Sequence, residues 1–267
     1  MKFLLFFLTI LYTYVFAVTI HNGQTFIHHF DQNFSTSCKN YTSANHLLII
    51  PFSYYTNETS CFVLIDGKKI VLTITPKKYP QESLHVPKNR VAPPKKVLKR
   101  IEKEFKEAKK IYLTTSPNNY LRGHIILPVD TSITDPFGIA RIFNGKLKSY
   151  HSGTDFRALV GSPVKAINRG KVILAKKRYY AGGSIVIDHG KGIYSCYYHL
   201  SKFLIQPGDM VERGDIIGLS GKSGRVTGPH LHLTIKIKGV AVDPIQFIKT
   251  YNKTIKTVSS PHLDWKP

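Results

Sequence analysis

Between Val164 and Ile237 the chain runs through a series of short apolar segments with glycine, proline or aspartate between them. They are Val164–Ile167, Gly170–Ala175, Ser184–Asp188, Gly192–His199, Asp215–Leu219 and His230–Ile237. Short runs rich in β-branched and aromatic residues, spaced by turn formers, predict an antiparallel sheet. Gly182-Gly183 and Asp188-His-Gly190 read as turns within it. On such strands residues i and i+2 share a face, so any chemistry they carry is grouped by strand geometry.

The rest of the chain differs in kind. Residues 18–90 predict a small all-β domain, with strands at Leu47–Phe52, Phe62–Ile65 and Lys69–Thr75. Asp66-Gly67 between the last two is the dipeptide of a two-residue hairpin. Pro87, Pro93 and Pro94 then break the pattern. Residues 91–119 form a linker in which Val97, Ile101, Phe105 and Ala108 recur at helical spacing, closed by Ile111 and Tyr112. The stripe predicts an amphipathic helix, either between domains or on a membrane surface. Its balanced Lys and Glu face and short length favour the first. Residues 120–250 hold the second β region, and 251–267 read as a loose tail. The expected class is mainly β.

Residues 1–17 read as a signal peptide. Lys2 precedes an apolar run, Phe3 to Phe16, and Val15-Phe-Ala17 offers a cleavage site after Ala17. The run is short for a bilayer span, which needs about 20 apolar residues. Export sets aside nucleic acid as a partner for the net charge of +22, as do lysines scattered along the chain. A solvated surface accounts for most of the charge. Anionic wall polymer or lipid head groups are the partners that fit the remainder. In an oxidising compartment Cys38 and Cys61 are placed to bridge, closing a loop worth about 3 kcal/mol. Cys196 is then left over. On a strand it faces away from Ser195, Tyr197 and His199, which suits a buried small hydrophobe.

The chemistry sits in three segments: His151-Ser-Gly-Thr-Asp155, Tyr197-Tyr198-His199-Leu200 and His230-Leu-His232. Imidazole and carboxylate together suit zinc, and three protein ligands with an open fourth position make a catalytic site. Each segment alone is weak. An Asp four residues after a His can cap a turn, and an HxH can be a surface or packing pair. On a strand His230 and His232 share a face roughly 6.5–7 Å apart. One can therefore hold a metal while the other reaches water or substrate, with Leu231 turned into the core. No His-Glu-x-x-His is present, so a glutamate base of the thermolysin kind is not available. His189 sits in a turn, and His21, His28, His29, His46, His85, His124 and His262 match no motif. Tyr179, Tyr180, Tyr197 and Tyr198 suit groove walls or packing equally.

Taken in order, the three segments resemble the LytM/lysostaphin-type zinc metallopeptidases, family M23. Pro136-Phe137-Gly138, Asn144-Gly145, Gly161-Ser-Pro-Val164, Ile187-Asp-His-Gly190, Gly208-Asp-Met-Val211, Gly214-Asp-Ile-Ile-Gly218 and Thr227-Gly228 look like the same family's framework. The resemblance covers roughly residues 120–245. It implies a LytM-type antiparallel catalytic domain, one Zn2+ on His151, Asp155 and His232, and catalytic roles for His199 and His230.

With the signal peptide, the resemblance also implies a Gram-negative periplasmic enzyme that cleaves peptidoglycan cross-links in wall remodelling and cell shape. The expected reaction is D,D-endopeptidase, with D,D-carboxypeptidase activity alongside. The N-terminal half resembles that of longer members, where it can cover the active site, so residues 18–119 are expected to occlude the groove. The rival reading is a non-catalytic LytM-type wall-binding regulator of another hydrolase, against which all metal and catalytic positions are kept. A secreted bacteriocin-like peptidase is a third, with no targeting domain to support it. Peptidoglycan is the expected partner, with membrane-peripheral or wall-anchored proteins as further contacts. Finally, Asp31-Gln-Asn33-Phe-Ser35 resembles the extended acidic sequon of bacterial N-glycosylation, which marks Asn33.

Overall fold

The computed structural model describes residues 15–84, 93–143 and 146–259. The expected leader up to Tyr14, the break at Pro87, Asn144-Gly145 and residues 260–267 of the expected tail lie outside them.

An eight-stranded sheet organises the C-terminal half. Its order is Met210–Val211, Gly170–Arg178, Gly182–Asp188, Ile193–Leu200, His230–Ile237, Thr154–Arg157 and Ile133–Asp135, with Val240–Val242 paired to His230–Ile237. Its strand pairs are antiparallel. Four of the six expected runs supply its strands, whereas Val164–Ile167 and Asp215–Leu219 overlap Pro163–Lys165 and Ile216–Leu219 of a separate three-stranded sheet. One face of the sheet buries Phe156, Ile185, Tyr197, Leu231, Leu233 and Ile235 in the main core. The other face carries Leu174, Val186, Tyr194 and Cys196. Cys196 is fully buried and free, as its strand position requires.

A helix, α1 (Lys95–Leu113), covers this second face. Ile101, Ala108 and Tyr112 are buried, and the last two pack on Leu174, Val186, Tyr194 and Cys196. Phe105, expected in the buried stripe, is 64% exposed. Its ring lines a groove instead of a core. The ion pair Lys106–Glu102 lies on the outer side of α1, whereas Glu104, paired with Arg100, turns to the sheet and accepts the Tyr179 N–H. Among the described residues no helix is long and apolar enough to cross a membrane.

The expectation of a loose tail from residue 251 is corrected by a second helix, α2 (Pro244–Ser259). Its start carries two sequence signals. Asp243 accepts hydrogen bonds from the N–H groups of Ile245 and Gln246, and Pro244 fits the first turn, where its missing N–H costs nothing. Phe247, Ile248 and Tyr251 are buried on one face. This stripe straddles residue 250, so neither side of that position shows its full period.

α2 also joins the two halves of the molecule. Ile27, Leu47 and Ile49 of the N-terminal region share the main core with Phe247 and Tyr251. The Gln246 amide pairs with both backbone groups of Thr25, as a neighbouring strand would. Gln81–Leu84 crosses to pair in parallel with Ala140–Phe143.

The N-terminal region itself is two small sheets. One runs Val15–His21, Lys68–Thr75, Ser60–Ile65, Phe34–Thr36, and the other Thr25–His29, Leu47–Pro51, Thr42–Ala44. The hairpin turns at Asp66 (φ 47°) and Gly67 (φ 78°), the left-handed pair that a two-residue turn demands. The Asp66 carboxylate accepts the N–H groups of Asp31, Gln32 and Asn33, so the exposed Asn33 turn is pinned to the hairpin tip. Cys38 and Cys61 are joined by a disulfide inside the second core. We expect the double Cys38→Ala, Cys61→Ala variant to lose about 3 kcal/mol in denaturant unfolding, the cost of the opened loop. Reductant should then have no further effect on it.

Candidate metal centre

Strand register builds the site. Asp155 on Thr154–Arg157 lies directly opposite His232 on His230–Ile237, and His232 lies opposite Tyr198 on its other side. Directly opposed residues in an antiparallel pair point to the same face. Asp155, His232 and Tyr198 therefore stand in one row. His151 enters from the loop just before Asp155. Gly153 allows this entry: a Cβ there would come within 2.4 Å of His232 Nε2 and 2.3 Å of the Leu233 carbonyl oxygen.

Three ligand atoms converge. His232 Nδ1 is 2.7 Å from Asp155 Oδ1, His151 Nε2 is 3.1 Å from the same oxygen, and the two nitrogens are 3.1 Å apart. Zinc bonds of 2.0–2.1 Å in a tetrahedron give ligand separations of about 3.3 Å, close to what is found. The far nitrogens are held. His151 Nδ1 donates to the Pro136 carbonyl at 2.8 Å, which leaves its Nε2 with a lone pair. His232 Nε2 is 2.8 Å from the Thr234 hydroxyl, a bond that orients the ring with Nδ1 toward the cluster. All three residues are buried. Burial alone would raise the Asp155 pKa, but the His151 and His232 imidazoles packed against its oxygen hold it well below the usual carboxylate range. The donor set, its spacing and its oriented rings fit one divalent ion with an open side.

His199 and His230 stand on that open side. Their rings are 4.8 Å apart in an edge arrangement, and His199 is 6.0 Å from the His232 ring. His230 Nε2 is 3.7 Å from Asp155 Oδ2. Each fixes its Nδ1 on a backbone carbonyl, that of Ser223 for His199 and that of Gly228 for His230, both at 2.9 Å. With Nδ1 as donor, the neutral rings present Nε2 lone pairs. Burial pushes the His199 pKa down to about 3, with the neighbouring His232 acting in the same direction.

His199 corrects the expected alternation. A regular strand would place it on the core face with Ser195 and Tyr197. Instead the register slips between Gly183 and Ile185, and His199 adopts φ 64°. The bulge turns its ring to the face of His232. Ser223 clamps this bend. Its carbonyl takes the His199 proton, its hydroxyl donates to the Leu200 carbonyl, and the Gly183 N–H donates to that hydroxyl. Gly182 (φ 63°) permits the approach, because a Cβ there would lie 2.3 Å from the Ser223 carbonyl oxygen. Ser223 and Thr234 had no motif of their own, although Thr234 follows His232 at the strand period and Ser223 lies in the glycine-rich loop.

Other expected residues fall elsewhere. Tyr197 is fully buried in the core, whereas Tyr198 stacks on His232 with ring centres 5.5 Å apart. His189 is a core histidine spanning the Arg169 carbonyl and the Ser195 hydroxyl, its pKa lowered to about 4 by burial. The hydrogen-bond partners of the five site side chains lie between Pro136 and Thr234. From the N-terminal region, Tyr54 reaches the neighbourhood by stacking on Tyr150, 4.0 Å between centres, beside His151.

The model of peptidase family M23 matches residues 149–244. Peptidoglycan DD-endopeptidase ShyA of Vibrio cholerae is 45% identical over 96 residues, covering 36% of this chain and 22% of that protein. Lysostaphin of Staphylococcus simulans is 38% identical over 158 residues, 56% of this chain and 29% of that protein. The chain thus spans under a third of these relatives. A crystal structure from Pseudomonas aeruginosa assigned to peptidase M23 superposes with a TM-score of 0.66 at 26% identity, covering 86% of this chain and 95% of that one. That likeness takes in much more than residues 149–244, so the N-terminal arrangement recurs with the catalytic sheet.

Two variants test the geometry. Thr234→Val removes the bond that orients His232 and should weaken zinc binding about 10- to 100-fold in competition with a chelating dye. His199→Gly should be more stable than His199→Ala by about 1 kcal/mol, because only glycine adopts φ 64° freely; equal unfolding midpoints would contradict the strained bend.

Proposed function

We propose that this chain, whose residues 149–244 match the family M23 peptidase model, is a zinc metallopeptidase that hydrolyses the peptide cross-links of peptidoglycan as a D,D-endopeptidase. The observation that carries this reading is the convergence of His151, Asp155 and His232 with His199 and His230 on the open side. Zinc held by those three ligands would supply polarisation of the scissile carbonyl and a water pKa lowered toward about 7.

The chain's own residues do the rest. His199 and His230 present Nε2 lone pairs, so either can take the proton of the attacking water and pass it to the leaving amine. A ring that has taken a proton becomes an Nε2–H donor and can hold the developing oxyanion. Burial keeps His199 neutral at rest, so its Nε2 lone pair is free. Asp155, held anionic, offsets the charge gained by its neighbours. D,D-carboxypeptidase action uses the same groups on a terminal residue and is part of the proposal.

The site of action we propose is the periplasm, in wall remodelling and cell shape. The leader-like apolar segment and the Cys38–Cys61 disulfide support an oxidising, exported setting. Asn33, exposed on its pinned turn, is proposed to carry a glycan there. Intact mass of the protein recovered from the periplasm should exceed that of residues 18–267 by a sugar chain.

The enzymatic reading is tested on purified sacculi. The zinc-loaded protein should release products whose D,D-cross-links are cut, and a chelator should abolish release until zinc is restored. His232→Ala should lose at least about a thousandfold in rate, the scale set by a lost metal. Full activity in that variant, or chelator-resistant release, would defeat the assignment.

A further inference from the structure

A groove of about 570 Å³ runs between α1 and the sheet face that carries the site. Phe105, Ala108 and Tyr112 of α1 form one wall, and Tyr180, Tyr198 and Lys236 form the other. It leads to the metal centre. Ser152, next to His151, lines it, and Tyr198, which also lines it, covers the His232 ring. The Tyr112 and Tyr198 hydroxyls are 2.9 Å apart, so α1 is tied to the residue that backs a ligand.

The groove has a polarity. Lys236 shares the strand and face of His232, and its ammonium lies over the Tyr112 ring at 4.9 Å. Among the described residues no carboxylate pairs with it. Lys109 and Arg178 add further positive charge to the lining, with Arg178 held by the Glu104 carbonyl. The carboxylate on the wall, Glu104, is already held by Arg100 Nε and by the Tyr179 N–H, both at 2.8 Å. The lining therefore offers an unneutralised ammonium, aromatic and apolar walls, and no free acid.

We propose that this groove binds the arm of the peptide substrate that bears a free carboxylate, with Lys236 as its partner, so that the chain selects stems by an acid group near the cut bond. The proposal rests on the peptide-hydrolase reading. Burial lowers the Lys236 pKa below the ordinary lysine value, so the ammonium gains from an anion that displaces its remaining water. Lys236 is a positioning residue, because it acts on substrate placement and not on the reacting atoms. The α1 wall lies outside residues 149–244, so this selectivity would belong to chains that carry the helix.

The test uses the zinc-loaded protein and two ligands that it cannot cut across: the stem tripeptide L-Ala-γ-D-Glu-meso-diaminopimelate and its fully amidated form. Titration calorimetry should give the acid about tenfold tighter binding than the amide, the scale of a charge-assisted hydrogen bond. Lys236→Met should erase the difference by weakening the acid alone, and Lys236→Arg should keep most of it. Phe105→Glu, at an exposed position that cannot endanger the fold, should weaken the acid and spare the amide. Equal binding of both ligands by the native chain overturns the proposal. So does a Lys236→Met protein that still prefers the acid, or a Phe105→Glu protein with unchanged acid affinity. Sacculus digestion by the native chain, run alongside, separates the two readings: preference for the acid without digestion supports the groove and defeats the hydrolase.

Discussion

The pairing of Thr154–Arg157 with His230–Ile237 fixes everything else at the site. It sets Asp155 opposite His232, and a slip of one residue in either strand would turn that strand's ligand into the core. That slip is barred from the other side of the strand, where Leu231 and Leu233 are fully buried with Phe156. The apolar core therefore specifies the metal geometry. The ligands need no strain of their own to meet, because the sheet has already placed two of them.

What the register leaves open, backbone carbonyls close. His151, His199 and His230 each have Nδ1 fixed on a carbonyl, from Pro136, Ser223 and Gly228. A carbonyl can only accept, so the tautomer is decided and Nε2 faces the chemistry. The loops that supply these carbonyls thus act on reactivity without touching the reacting atoms. His199 takes this furthest, since its ring reaches the site through a bulge and a left-handed backbone that Ser223 holds in place.

Much of this was legible in the residues. The alternation of Leu231 with His230 and His232, the Asp66-Gly67 hairpin and the Cys38 and Cys61 pair all follow local rules, and the folded chain obeys them. Two features escaped for physical reasons. α2 was hidden because its apolar stripe straddles residue 250, although Asp243-Pro244 marked its start. The placement of His199 was hidden because a bulge depends on the partner strand: strict alternation put the ring on the wrong face. The groove beside α1 was likewise invisible, since Phe105 shares the helical stripe of Ile101 and Ala108 yet stands exposed in the folded chain. Spacing alone did not divide the work of His199, His230 and His232; the family resemblance implies zinc for His232 and catalysis for the other two.

Anomalous diffraction at the zinc absorption edge on crystals of the native protein tests the central assignment most directly. The account predicts a single strong peak within bonding distance of His151 Nε2, Asp155 Oδ1 and His232 Nδ1, with the His199 and His230 rings unbound. A peak ligated by His199 or His230 in place of any of those three would contradict it.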